Sequence, residues 1–248
     1  MAGDLAVIRQ LLRGEPRGGD HKDRLERFYG PQADAYDRFR ERLLHGRREL
    51  IEALPAKAGA HVVELGGGTG RNLEFFGKRI TDFASVTLVD LCPALLAHAK
   101  VRCAAQGWSN VRCIEADATR FGPQQPVDAV YLSYSLTMIP DWFAAIDNAI
   151  AMLKPGGYLG VVDFYVSRKH PAHGLRRHGM FNRTFWPLWF GHDGVRPNPD
   201  HLPYLLAKTT AVELVEAEAS VPYLPGLRCP HYRYIGKKIG QEIEERLG

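Results

Sequence analysis

The sequence predicts an α/β fold: a mostly parallel sheet of seven strands whose carboxyl-terminal edge is an antiparallel hairpin. Three observations support this prediction. Short apolar runs alternate with helical patterns from residue 61 to residue 164, which is typical of parallel strands joined by right-handed crossovers. A glycine-rich turn follows the first apolar run. Two strand-like runs after residue 210 are joined by a proline-rich loop with no helix between them, as in a hairpin.

The predicted elements follow in chain order. Residues 4–13 indicate a short amphipathic helix, and a longer helical region covers roughly 20–54. The parallel strands are HVVEL, SVTLVD, VRCIEA, VDAVYLSYS and GYLGVVDF, with helices near 70–78, 93–106 and 142–153. The hairpin consists of AVELVEAEA and PHYRYIGKK. We therefore expect an N-terminal helical cap, 1–56, that contributes to the active site, and a core, 57–248, with a lid-like insert at about 165–210.

Composition and charge exclude several classes of protein. The formal net charge of +4 is too small by itself to argue for a nucleic-acid partner. The stretch MAGDLAVIRQLLRG is not expected to be a secretory signal, because Asp4 and Arg9 interrupt its apolar residues. No run approaches the ~18–20 apolar residues of a membrane-spanning helix. The cysteines show no paired spacing and indicate reduced thiols in a cytosolic protein: Cys92, Cys103, Cys113 and Cys229.

The turn ELGGGTG indicates a ligand that contacts the backbone directly. Ligands of a doubly wound sheet bind at the carboxyl ends of the strands, where side chains in the first turn would obstruct them. This accounts for Gly66, Gly67, Gly68 and Gly70. A dinucleotide fingerprint, GxGxxG, would need its last glycine at position 71, where the sequence has Arg71. ELGGGTG is instead similar to the first motif of S-adenosylmethionine-dependent methyltransferases.

Acidic residues lie near the ends of the first three predicted strands. Asp90 can accept both ribose hydroxyls of such a ligand, since it ends the second strand 20 residues after Gly70. Asp117 can accept the exocyclic amine of adenine. Glu64 can orient the loop or hold the ammonium of the methionine part. Each acid could instead only cap a helix or close a turn. The expected cofactor site is completed by Leu91, Ser133 and Ala118, whose backbone N–H faces the adenine ring.

Later motifs resemble one particular family. The segments YSLTMIPDW, AIDNAIAMLKPGGYLGVVDFYVSR, FWPLWF, HLPYL and VPYLPGLRCPHYRYIG are similar to those of the diacylglyceryl-homoserine N-methyltransferases of betaine-lipid synthesis. The likeness runs from FYGPQADAYDRFR to YIGKK and leaves out the first 20 residues. It implies a Rossmann-like class I methyltransferase fold, and S-adenosylmethionine as cofactor with S-adenosylhomocysteine as product. It also implies three successive methylations of the homoserine amine.

The resemblance further implies a lipid substrate at a membrane surface, with the protein cytoplasmic and peripherally associated. Nucleic acid is not expected as a partner. Functional pairing with a separate homoserine-transferring enzyme is left open, as is the oligomeric state. The alternatives are an enzyme acting on phosphatidylethanolamine, a quinone precursor or a soluble amine, and a non-enzymatic protein that binds the cofactor.

Trimethylation produces a fixed cation, which aromatic faces stabilise by about 0.5–2 kcal/mol each. By analogy with the fold, Tyr29, Tyr36 and Tyr134 are the catalytic candidates, because the leading helix and the end of the fourth strand face the donor methyl. Asp163, at the end of the fifth strand, could hold the substrate ammonium or tie down the insert. Each aromatic residue could equally serve in packing alone.

The insert is basic and aromatic. Residues 168–196 carry six Lys or Arg side chains and one acid, which suits a substrate carboxylate or an anionic membrane surface. The expected substrate-binding residues are Arg168, Arg176, Arg177, Trp186 and Tyr204, with Lys169, Arg47 and Arg48 as further candidates for the carboxylate. For membrane docking we expect exposed aromatic side chains at Trp186 and Trp189, and the apolar face of the first helix. No metal is expected, since His170, His173 and His178 lack a nearby Cys or carboxylate partner.

Overall fold

A seven-stranded mixed sheet organises the protein. The computed structural model describes residues 22, 23, 26, 41–191, 194–222 and 224–240. Its strands are β1 (His61–Leu65), β2 (Ser85–Asp90), β3 (Val111–Glu115), β4 (Val127–Ser133), β5 (Leu153–Phe164), β6 (Thr209–Ser220) and β7 (Arg228–Lys238). They are arranged in the order β3-β2-β1-β4-β5-β7-β6. The first five strands pair in parallel, and β7 pairs antiparallel with both β5 and β6. The predicted mixed sheet and edge hairpin are therefore confirmed.

Helices cover both faces of the sheet. They are α1 (Arg47–Ala53), α2 (Arg79–Asp82), α3 (Pro93–Gln106), α4 (Trp142–Met152), α5 (Met180–Gly191) and α6 (His201–Lys208). One core contains the inward side chains of α4 and α6 with β4, β5 and β7, and a second contains those of α1 and α3 with β1 and β2. A third, smaller core lies under α5. The central strands are buried on both faces, as their continuous apolar runs predict.

Several element bounds differ from the prediction. The helical region 20–54 is interrupted at residues 44–46, where Gly46 has a φ of 80° and precedes α1. The segment after the glycine turn is a 3₁₀ turn, Arg71–Phe76, because the left-handed Gly70 starts a short and tight helix. Strand β5 begins at Leu153, directly after α4. The insert contains α5 and α6, and the predicted helix 4–13 lies outside the described residues.

The described helices were also assessed for length and hydropathy. None of those within the described residues is both long and apolar enough to cross a bilayer.

Gly236 in β7 provides a test of packing across the edge hairpin. A Cβ at this position would overlap the Oγ1 of Thr209, which is held by the Tyr234 hydroxyl at 2.8 Å and the Leu205 carbonyl oxygen at 2.9 Å. We expect Gly236→Ala to lower the free energy of unfolding by roughly 1–3 kcal/mol, measured by urea denaturation. Gly179→Ala is the matched control, since its Cβ would meet nothing within 4 Å. Equal stability of the two variants would contradict this packing.

Candidate active site

A cavity of about 320 Å³ lies at the carboxyl ends of the parallel strands. The strand order reverses between β1 and β4, and the loops after these strands both border the cavity. Such a switch point is where open α/β sheets bind ligands. The predicted residues that line it are Gly66, Gly68, Asp90, Leu91, Asp117, Ala118 and Tyr134. Most of the cofactor-binding residues predicted from the sequence therefore border one cavity.

The glycine turn is constrained by packing as well as by access. Gly66 and Gly68 have φ values of 72° and 56° and line the cavity. A Cβ at Gly66 would overlap Ser135, in the loop after β4, and one at Gly67 would overlap Leu88 of β2. Gly67 and Gly70 do not line the cavity. Two of the four glycines thus face the ligand space, and the other two let the turn pack on its neighbours.

Asp90 connects two walls of the cavity. Its Oδ2 accepts a hydrogen bond from the backbone N–H of Gly68, and its Oδ1 accepts one from that of Cys92, both at 2.8 Å. The carboxylate therefore fixes the glycine turn and the end of β2 relative to each other. It also borders the cavity, as expected for an acid that binds a ligand hydroxyl.

Asp117 closes its own turn and faces the cavity. Its Oδ1 accepts hydrogen bonds from the backbone N–H and the hydroxyl of Thr119, both at 2.8 Å. Asn148 of α4 donates to the carbonyl oxygens of Ala118 and Phe121 at 2.9 and 2.8 Å, which holds this loop from below. The capping role and a ligand role are compatible, because the second carboxylate oxygen makes no hydrogen bond to any described residue.

Glu64 lies behind the glycine turn and has no solvent exposure. Its two oxygens accept hydrogen bonds from Asn72 Nδ2 at 2.7 Å and from the Tyr131 hydroxyl at 2.9 Å. Arg47 extends this network, donating to Asn72 Oδ1 at 3.2 Å. Of the two expected roles, the geometry supports orientation of the loop. The carboxylate is buried, accepts a hydrogen bond on each oxygen, and does not line the cavity in which a ligand ammonium would lie. Arg47, a candidate for the substrate carboxylate, is likewise buried in this network.

Tyr134 adopts an unusual backbone conformation at the cavity wall. Its φ of 53° makes it the one described residue other than glycine with a positive φ. The conformation is held by hydrogen bonds from its N–H to the Val162 oxygen at 2.8 Å and from its hydroxyl to the His45 oxygen at 2.6 Å. Burial raises the pKa of the phenol well above its ordinary value. Tyr134 therefore presents a neutral aromatic ring and cannot supply a phenolate base.

Asp163 and Ser133 lie near the cavity without lining it. Asp163 is fully buried and accepts hydrogen bonds from the Thr137 hydroxyl at 2.8 Å, the Thr137 N–H at 3.1 Å and the Phe164 N–H at 2.8 Å. Burial raises its pKa to about 7. The backbone N–H of Arg196 donates to the Thr137 oxygen at 2.9 Å. Asp163 thus holds the loop after β4, and through it the insert, rather than an exposed ammonium.

The basic candidates of the insert lie on the surface and not in the cavity. Arg168 is exposed and forms an ion pair with Asp200, with 2.5 Å between Nε and Oδ1. The backbone N–H of Arg176 donates to the Glu216 carboxylate, which anchors the chain and leaves the guanidinium exposed. Arg177 is exposed as well. These side chains do not converge on one substrate group in this structure.

The aromatic candidates of the insert are packing residues here. Trp186 has no solvent exposure, which corrects the expectation that it is an exposed aromatic, and its indole donates to Asn182 Oδ1 at 3.2 Å. Tyr204 donates its hydroxyl to Asp147 at 2.8 Å, and its ring packs against Trp142. Both are held away from the cavity because α5 and α6 direct them into the cores. Tyr29 and Tyr36 lie outside the described residues.

Histidines of the insert do not form a metal centre in the described part of the chain. No cluster of three or more His, Cys, Asp or Glu side chains there could hold an ion. His178 is buried rather than exposed, accepts a hydrogen bond from the Ser167 N–H at 2.9 Å, and has a pKa lowered by burial.

Sequence reasoning missed part of the cavity wall. Cys92 and Leu95 line it from the start of α3, and Thr119 and Arg120 from the loop after β3. The loop after β4 adds Ser135, Met138, Ile139, Pro140 and Asp141. These five residues belong to the motif YSLTMIPDW. The motif is recognised in the sequence, but it does not indicate which of its residues line a cavity.

Comparison with known proteins supports a methyltransferase domain. Residues 62–157 match the model of the methyltransferase domain family. The chain is 32% identical over 133 residues to the ubiquinone/menaquinone biosynthesis C-methyltransferase UbiE of Shewanella halifaxensis, covering 53% of this chain and 51% of that protein. It is 32% identical over 145 residues to the trans-aconitate 2-methyltransferase of an Enterobacter species, covering 56% and 55%. The chain thus spans about half the length of these curated relatives.

A solved structure gives the same fold. The YcgJ protein of Bacillus subtilis superposes with a TM-score of 0.62 at 15% identity, covering 79% of this chain and 99% of YcgJ. This likeness concerns the fold alone, and it confirms the predicted Rossmann-like α/β fold.

Glu64 predicts a pH dependence of stability. Burial raises its pKa from 4.5 to about 7, so the unfolded chain loses this proton near pH 4.5 and the folded chain near pH 7. The contribution of Glu64 to the free energy of unfolding should therefore fall as pH rises across that interval, by on the order of 1–3 kcal/mol. His201 and His231 contribute a rise with pH, because burial lowers their pKa values to about 3 and about 4. Glu64→Gln cannot titrate, so the free energy of unfolding of the parent should fall relative to that of the variant as pH rises, measured by urea denaturation from pH 4.5 to 8.

The matched control is Glu52→Gln, since Glu52 is exposed. It should retain the parental pH dependence. Asp163, His201 and His231 titrate alike in parent and variant, so the difference between the two proteins isolates Glu64. A pH dependence in Glu64→Gln equal to that of the parent would contradict the raised pKa of this carboxyl.

Proposed function

We propose that this chain, which matches a methyltransferase domain over residues 62–157, uses S-adenosylmethionine to methylate the amine of a lipid head group. The proposed acceptor is diacylglyceryl-homoserine, and the proposed product is its trimethylated betaine lipid. One observation supports methyl transfer above all. The glycine turn and the strand-end acids Asp90 and Asp117 border a single cavity at the switch point of the sheet.

S-adenosylmethionine is the cofactor of this domain, and the cavity residues fit it. Asp90 ends β2 at the cavity wall, where a carboxylate can accept the two ribose hydroxyls, while Asp117 offers its second oxygen to an exocyclic amine. Leu91 and Ile139 provide apolar wall for a purine ring. Gly66 and Gly68 leave the turn without side chains where the methionine part would pass. When bound, the cofactor supplies a methyl group already activated on a sulfonium.

The acceptor side needs positioning more than acid–base chemistry. An α-amino group with a pKa near 8 is roughly one-tenth neutral at pH 7, so a strong base is not required. Tyr134 stays a neutral phenol and offers an aromatic face beside the cavity, which favours a substituted ammonium product. Tyr29 and Tyr36 remain predictions for the same role.

The choice of a lipid amine rests on the later motifs. The family match ends at residue 157, before the insert and the hairpin. These are the regions whose segments FWPLWF, HLPYL and VPYLPGLRCPHYRYIG resemble the homoserine-lipid N-methyltransferases. The relatives named above act on a quinone precursor or on trans-aconitate according to their names, and their similarity covers about half of this chain. The alternative is N-methylation of phosphatidylethanolamine or of a small soluble amine.

Asp90→Ala tests the cofactor site. The variant loses the acceptor for the ribose hydroxyls and the two backbone contacts that hold the turn, so S-adenosylmethionine affinity should fall at least about tenfold. Isothermal titration calorimetry measures this effect, with circular dichroism to verify folding. Asp82→Ala, an exposed acid at the end of α2, is the control and should bind normally. Unchanged affinity in folded Asp90→Ala would remove Asp90 from the site.

The acceptor is tested with a panel of amines, a quinol precursor and trans-aconitate, each incubated with the protein and methyl-labelled donor. Mass spectrometry should find label in diacylglyceryl-homoserine, accumulating as the trimethylated product. Label in phosphatidylethanolamine or a soluble amine alone would support the alternative. Label only in the quinol or in trans-aconitate would overturn N-methylation.

A further inference from the structure

Helix α5 has one buried and one exposed apolar face. Trp186 and Phe190 point inward and are buried. On the outer face, Met180, Phe181 and Leu188 are 77%, 55% and 74% exposed, and Trp189, with 43%, joins them. We call this outer surface the α5 face. A helix whose apolar side chains surround it needs a second partner besides the core.

The α5 face concentrates the exposed apolar surface of the described chain. Among the described residues, eight large hydrophobic side chains are exposed, and four of them lie on this one helix. Phe185 stacks between Phe181 and Trp189, at ring-centroid distances of 4.9 and 5.8 Å. The spacing of four residues therefore builds a continuous aromatic row. A patch of this kind marks an interaction site.

The chain segment that leads into α5 is positively charged. Residues 168–191 contain no acid and five Lys or Arg residues: Arg168, Lys169, Arg176, Arg177 and Arg183. Among the described residues, three acids contact this segment: Asp200 pairs with Arg168, and two more lie on β6. Glu216 accepts from the Arg176 backbone, and Glu218 accepts from Asn182 at 3.4 Å. The guanidinium groups of Arg176 and Arg177 remain exposed beside the start of the helix.

We propose that the α5 face docks the protein on an anionic lipid bilayer. Aromatic side chains beside cations are typical of helices that lie in a membrane interface, where Trp and Phe enter the head-group region and cations bind anionic lipids. A second copy of the chain is a poorer partner, because it would bring the same cations face to face. The proposal uses α5 alone, since the helix predicted at residues 4–13 lies outside the described residues.

Ring contacts connect the α5 face to the cavity. Phe190, on the inner side of the helix, stacks on Phe164 at 4.6 Å, and Phe164 contacts Tyr134 at 4.7 Å. Tyr134 lines the cavity. Docking would therefore hold the bilayer one helix and two aromatic rings from the cavity wall. This consequence rests on the proposed lipid substrate, whereas the docking itself is measurable without methyl transfer.

The test is sedimentation of the full chain with vesicles. Phosphatidylcholine vesicles are compared with vesicles that also contain phosphatidylglycerol, at low and high salt. The parent should bind the anionic vesicles, and salt should release it. Phe181→Ser with Trp189→Ser should lower partitioning at least about tenfold, since two apolar anchors are lost. Arg176→Glu with Arg177→Glu should lower it by a similar factor on anionic vesicles only.

The matched control replaces two exposed apolar residues elsewhere, Val101→Ser on α3 and Val212→Ser on β6. It should bind like the parent, and thermal unfolding verifies that all variants fold. Equal vesicle binding by the parent and the Phe181→Ser, Trp189→Ser variant overturns the proposal. Equal binding of the parent to neutral and anionic vesicles also overturns it. If the parent self-associates without binding vesicles, and the Phe181→Ser, Trp189→Ser variant does not self-associate, the α5 face would be assigned to a second copy of the chain.

Activity on a soluble short-chain homoserine lipid analogue separates this inference from the proposed function. The Phe181→Ser, Trp189→Ser variant should methylate the analogue at the parental rate while losing activity on vesicle-embedded substrate. Vesicle binding without methylation of any head group would support docking and overturn the proposed function. Methylation of the analogue without vesicle binding would overturn docking alone.

Discussion

The cavity depends on the carboxylate of Asp90. It accepts hydrogen bonds from the backbone of Gly68 and of Cys92, and so joins the turn after β1 to the start of α3. These segments are far apart in sequence, and their relative position decides whether the cavity exists. The same residue lines the ligand space. A group that first positions backbone and then binds a ligand links the folding of the sheet edge to the formation of the site.

Two buried acids support the loops from behind. Glu64 holds Asn72 and Tyr131 behind the glycine turn, and Asp163 holds Thr137 in the loop after β4. Burial raises the pKa of each to about 7, because a charged carboxylate is poorly solvated between the sheet and its helices. Both therefore exchange protons near neutrality while staying out of ligand contact. Perturbed acids next to a cavity are commonly assigned to catalysis, and here their hydrogen bonds indicate positioning.

An aromatic row couples the insert to the site. Tyr134 at the cavity wall contacts Phe164, which stacks on Phe190 of α5. The left-handed backbone of Tyr134 persists because its N–H and hydroxyl are both bonded to neighbouring elements. The insert thus packs into the third core through α5 and into the first core through α6, while the outer side of α5 is exposed. Function beyond cofactor binding is expected to depend on this region, where the match to the methyltransferase family does not extend.

The sequence by itself determined the sheet, the hairpin and the cofactor edge. The periodicity of apolar residues and the spacing of glycines are local properties of the sequence. The carboxyl ends of parallel strands lie at one edge of the sheet whatever the details of packing. Only the tertiary structure decided which side chains face the ligand. Glu64 and Trp186 look like site residues in sequence, yet long-range packing buries both, while Met138 and Ile139 turn toward the cavity. The direction of a side chain in a loop depends on contacts with segments that are distant in sequence. The hydrogen bond from the Tyr134 hydroxyl to the His45 oxygen is an example. A local sequence pattern contains no information about such contacts.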